Sequence, residues 1–107
     1  CNLSSYAILS ETDNSQISFC KSCKNFSLIF KSNCISFSTL ELEQFRAILE
    51  DLEPVNYSYS AFGKQVTIIQ NKRYPSGFCL SKEDVEELKE SINQSLLVHE
   101  AFSIIYN

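Results

Sequence analysis

Cys20-Lys21-Ser22-Cys23 is the sharpest chemical spacing in the sequence. Two sulfurs at this separation grip one metal ion, exchange a disulfide, or sit inert at a strand–turn–strand junction. A structural zinc ion needs four ligands, and neither a second CxxC nor a pair of histidines accompanies the first. Pairing the first hairpin about Thr12-Asp13 sets Cys1 opposite Lys24, next to Cys23. The candidate zinc ligands are therefore Cys1, Cys20 and Cys23, with Cys79, His99 or a partner's residue left for the fourth position. Lys21 and Lys24 favour a thiolate, but thioredoxin-type redox pairs open a helix after a strand, whereas this pair lies between two strands. The inert reading ranks first, zinc second and thiol redox chemistry third. Cys34 and Cys79 stand alone. In a cytosolic protein, five cysteines without a spacing pattern argue against a disulfide framework.

Other catalytic constellations are missing from the sequence. His99 is the single histidine and falls on the apolar stripe Ile92-Leu96, the setting of a packed side chain. No nucleophile elbow surrounds any Ser or Cys, and Gly63 and Gly77 alone make no phosphate-cradling loop. Glu41/Glu43 and Glu86/Glu87 read as solvated helix faces. The expectation is a non-enzyme with no cofactor other than a candidate zinc ion. Nucleic-acid binding is the alternative to a protein- or ligand-binding module. It would use Lys21, Lys24, Lys31, Lys64, Lys72 and Arg73 as phosphate contacts, with Tyr57, Tyr59 and Tyr74 as stacking surfaces.

The elements that position these residues follow from length and pattern. The chain has 107 residues, 44% of them hydrophobic and 12% aromatic, with a formal net charge of −4. It is long enough for one domain, 1–107, and too apolar to be disordered; no apolar run is long enough to span a membrane. Phe26, Leu28 and Phe30 alternate, as do Ile35 and Phe37 after the turn Lys31-Ser32-Asn33. Tyr6 and Ile8 are expected to face the core from the first strand. Ser38 with Glu41, and Ser81 with Asp84, have capping-box spacing ahead of two helical stripes: Leu42, Phe45 and Leu49, then Val85, Leu88, Ile92 and Leu96. The expected fold is α+β: an antiparallel sheet of six or seven strands with two helices on one face, built as two hairpin-plus-helix repeats. The strand and loop segments 1–40 and 54–81 carry net +4 and the helical segments 41–53 and 82–107 net −8. Much of that acidity lies in first helical turns, where the macrodipole favours it.

Residues 96–106 are apolar on nearly all sides and need cover. Either the chain leaves the helix and lies across its own core, which is the preferred arrangement, or a second copy packs on Leu97, Ala101, Phe102 and Ile105. A cytoplasmic protein is expected. The alternative is a lipoprotein with Cys1 as its lipidated residue.

The strand and helix order resembles the strand-rich units, each ending in a helix, of Whirly and Pur-type single-stranded nucleic-acid binders; no motif residue carries over. A closer resemblance rests on Cys1, Cys20-x-x-Cys23, Phe26-Ser27-Leu28-Ile29-Phe30, and Ile35-Ser36-Phe37-Ser38 leading to Glu41 and Phe45. These are similar to a small uncharacterised Bacteroidota family. That resemblance covers most of the chain, implies a stand-alone cytoplasmic protein, and implies no chemistry.

Overall fold

The computed structural model describes residues 6–70, 72 and 77–106, excepting the side chains of Ile105 and Tyr106. Its first half is an antiparallel meander of β1 (Tyr6–Glu11), β2 (Ser15–Cys20), β3 (Phe26–Phe30) and β4 (Asn33–Phe37), in that spatial order, followed by helix α1 (Thr39–Glu50). A 3-10 turn at Pro54–Asn56 leads to a second meander of β5 (Tyr59–Ala61), β6 (Lys64–Ile69) and β7 (Phe78–Ser81), and then to helix α2 (Lys82–Tyr106). The α+β class, seven antiparallel strands and two helices agree with the sequence reading. The strands divide into sheets of four and three, because α1 and the 3-10 turn separate β4 from β5 and no hairpin links them.

Alternation sets the faces. Phe26, Leu28 and Phe30 of β3 are buried, while Ser27 and Ile29 point the other way. Across the ladder Leu28 pairs with Ile17 and Ile35, and Phe26 with Phe19 and Phe37. Strand β1 departs from the expected pattern. Its register shifts between Ile8 and Ser10, so Leu9 is the extra residue of a bulge. Leu9 and Ser10 are buried, whereas Tyr6 is 38% and Ile8 60% exposed. The expectation that Tyr6 and Ile8 face the core fails for that reason. On β6 Ile68 is exposed, and its neighbours Thr67 and Ile69 are buried.

Both helix starts are capped as their spacing predicts. In α1 the Glu41 N–H donates to the Ser38 hydroxyl (3.1 Å) and the Ser38 N–H to the Glu41 carboxylate (2.9 Å). At α2 the Asp84 N–H donates to Ser81 Oγ (3.2 Å) and the Ser81 N–H to the Asp84 carboxylate (3.1 Å). A chain of rings joins the two halves: Phe37 stacks on Phe45 with centroids 5.4 Å apart, and Phe45 lies 5.5 Å from Phe78.

Helix α2 packs on β1, β2, α1, β6 and β7. Near its start Thr12 and Asn14 of the β1–β2 turn donate to Glu87 (3.2 and 3.3 Å), and Lys31 of the β3–β4 turn pairs with Asp84 at 3.4 Å. At the opposite end of the four-stranded sheet, the His99 ring lies 4.5 Å from Phe19 and 5.1 Å from Phe26. The helix does not leave its path there, as the preferred arrangement of the tail required; it continues to Tyr106. No Gly or Pro interrupts residues 82–106, so no residue type in that span terminates a helix. The molecule is consequently elongated, 45 × 28 × 23 Å.

Candidate functional site

Two features converge at the end of the four-stranded sheet where β2 turns into β3. The first is the turn from Cys20 to Asn25. The Cys20 N–H donates to the Asn25 carbonyl (2.9 Å) and the Lys24 N–H to the Cys20 carbonyl (2.8 Å), with Lys24 in the left-handed region at φ 64°. Cys20 is a free thiol, 1% exposed. Its sulfur lies 3.2 Å from Ser22 Oγ. Burial pushes this thiol up, but hydrogen bonds from the Ser22 hydroxyl and from the backbone of Cys23 and Ser22 outweigh it and bring the thiol below its ordinary range. Cys23 is disulfide-bonded and Cys20 is not, so the two do not bond each other. Cys34 and Cys79 are free, exposed thiols on other strands. Cys1, the third candidate ligand, lies outside the described residues. Among the described residues no three potential metal ligands cluster.

The second feature is the last part of α2. Seven of its first ten residues are charged, but of residues 92–106 only Glu100 carries a formal charge. Leu97 is 68% and Ile104 74% exposed, with exposed Ala101 between them, at i, i+4 and i+7. Phe102, 44% exposed, flanks the stripe. Of the four tail residues read from the sequence, Leu97, Ala101 and Phe102 are thus exposed, and the side chain of Ile105 lies outside the described set. The sequence reading missed Ile104, whose seven-residue spacing from Leu97 marks it. Beside the stripe, Thr39, Glu43 and Arg46 of α1 face Asn93, Leu96, Leu97, His99, Glu100 and Ser103 across an open groove. Arg46 Nη1 donates across it to Asn93 Oδ1 (3.2 Å).

The basic and aromatic candidates are spread out. Lys21 and Lys24 sit on the Cys20–Asn25 turn, and Lys31 sits at the other end of β3, about 16 Å away at strand rise, paired with Asp84 and 5.3 Å from the Phe30 centroid. Lys64 and exposed Lys72 flank opposite ends of β6, and Tyr59 is exposed on β5. Tyr57 is half-buried in a cleft with Glu53, Lys82, Glu86 and Lys89, of about 300 Å³. Burial raises its hydroxyl pKa, Glu86 adds to the rise, and Lys89 opposes it. Arg73 and Tyr74 lie outside the described residues. Among the described residues no helix is long and apolar enough to cross a membrane.

Fold and site together define a small α+β protein in which two antiparallel meanders each feed a capped helix, with a cysteine-bearing turn and an exposed apolar helix end at one extremity. The chain belongs to the family of unknown function DUF6686, whose model matches residues 2–104. No curated protein and no solved structure matches it.

Proposed function

We propose that the protein is a non-catalytic interaction module that works as a homodimer, pairing through the last three turns of α2. The observation that carries this reading is the exposed stripe Leu97–Ala101–Ile104 on a stretch of helix whose one formal charge is Glu100. An apolar helix face in water favours burial against another element, by about 25 cal/mol for each Å² covered. A second copy is the occupant the stripe fits: two α2 ends laid antiparallel present the same residues to each other about a two-fold axis, the self-complementary contact of a symmetric dimer. The non-catalytic part of the reading is supported by where the titratable groups are used. His99, the only histidine, packs tilted against Phe19 and edge-on to Phe26, and Glu41 and Asp84 are engaged in capping.

Sedimentation velocity with the full chain tests the dimer. The expected result is a species of twice the 12.2 kDa chain mass for the wild type, and a monomer for the double substitution Leu97→Asp, Ile104→Asp. A wild-type monomer at the highest soluble concentration overturns the reading, and so does a double variant that stays dimeric.

A further inference from the structure

The cleft that holds Tyr57 carries an inference independent of the dimer, because it lies at the start of α2 and the apolar stripe at its end. Its volume of about 300 Å³ is at the small end of the range that takes small molecules. The floor is apolar: Leu49 of α1 is 0% and Val85 of α2 1% exposed, with half-buried Leu52 beside them. The rim carries two acids, Glu53 and Glu86, and two bases, Lys82 and Lys89. Glu86 and Lys89 pair with each other at 3.2 Å, one helical turn apart. Among the described residues that leaves Glu53, Lys82 and the Tyr57 hydroxyl without a side-chain partner. The segment bearing Glu53 and Tyr57 is held in place before any ligand arrives. The Glu53 N–H donates to Asn56 Oδ1 (2.7 Å), the Asn56 N–H to the Glu53 carbonyl (2.9 Å), and the Tyr57 N–H to the Pro54 carbonyl (3.1 Å). Burial and Glu86, opposed by Lys89, raise the pKa of the Tyr57 hydroxyl, so it keeps its proton and donates.

We propose that this cleft binds a free α-amino acid with an aliphatic side chain. Its carboxylate meets Lys82 and the Tyr57 hydroxyl, its ammonium meets Glu53, and its side chain covers Leu49, Leu52 and Val85. Charge and shape select this class. A wholly apolar ligand would strip water from Lys82 and Glu53 and return nothing. A ligand with one charge would satisfy one of them and desolvate the other. A zwitterion with an apolar side chain matches the cation, the anion and the floor together, and it leaves the charge balance of the rim unchanged.

Titration of the isotope-labelled full chain with L-leucine, followed by amide-resolved NMR, tests this. The expected result is saturable shifts at the amides of Leu52, Tyr57, Gln65 and Val85, with the amides of residues 97–104 unmoved. Isocaproate, which lacks the ammonium, and leucinamide, which lacks the carboxylate, are each expected to bind about tenfold more weakly than leucine. Lys82→Ala and Glu53→Gln should each weaken leucine binding about tenfold. Lys82→Ala should leave leucinamide binding unchanged, and Glu53→Gln should leave isocaproate binding unchanged. The same spectra show whether each variant is folded. The Leu97→Asp, Ile104→Asp protein is expected to bind leucine as the wild type does, so loss of the dimer and loss of this site are read separately. Absence of saturable shifts up to the solubility of leucine overturns the proposal. So does isocaproate or leucinamide binding as tightly as leucine, or a folded Lys82→Ala variant with wild-type affinity for leucine.

Discussion

Phe62 shows how one residue can sit against its local chemistry. It and Gly63 form the two-residue loop between β5 and β6, with φ of 53° and 74°. Both angles fit a type I′ turn, whose first position favours Asn. A phenylalanine there meets its own carbonyl, and this one is fully exposed, so it gains no burial in return. Phe62→Asn should therefore stabilise the fold by about 1 kcal/mol, read as a higher urea midpoint with an unchanged slope. A midpoint that falls or stays put would show that the turn tolerates Phe without strain. Cys20 makes a related point. Its place in the CxxC spacing was plain from the sequence, but its burial and the hydrogen bonds on its sulfur come from the turn that folds Ser22 and Cys23 back over it.

At the scale of elements, two joints decide stability. Phe45 is fully buried on α1 and touches rings from both meanders. Phe45→Ala should cost about 3–5 kcal/mol. A loss below about 1 kcal/mol in equilibrium unfolding would mean that the halves do not depend on this ring. The second joint is the start of α2. Its own backbone N–H, the Ser81 hydroxyl and Lys64 together hold the exposed Glu83 carboxylate below its ordinary range, against the opposing effects of burial and Asp84. A carboxyl whose folded pKa lies below its unfolded value stabilises fully above the unfolded value, about 4.3 for Glu, and loses that contribution as pH falls through the folded value. The melting-temperature advantage of wild type over Glu83→Gln should thus be present at pH 6 and shrink below pH ~4. An advantage that grows with acid would reverse the assigned sign. Both capping boxes were legible beforehand, because they depend on residues three apart in one chain segment.

For the whole molecule, the long dimension and the uncovered helix end go together. Residues 100–106 carry α2 about 10 Å past His99, the residue whose ring packs on the end of the sheet. If a second copy covers that end, folding is linked to association, and the melting temperature should rise with protein concentration. In the Leu97→Asp, Ile104→Asp protein it should be independent of concentration. A concentration-independent wild type would leave the stripe exposed in solution and remove the dimer.

Strand alternation, the two capped helices and the α+β class were determined by the sequence alone, since each rests on periodicity or on short-range hydrogen bonds within a segment. The CxxC spacing and the apolar tail were equally visible as candidates. Which way β1 faces was not, because one extra residue at Leu9 shifts every side chain before it to the other face. Nor was the division into two sheets, which depends on how strands far apart in the chain pair. Only the tertiary structure decided that α2 stays helical to Tyr106 and that the cysteine turn and the helix end share one extremity. The first is permitted by a span without Gly or Pro but chosen over a chain reversal only in three dimensions, and the second follows from where α2 docks on the four-stranded sheet, a long-range packing outcome that no local spacing encodes.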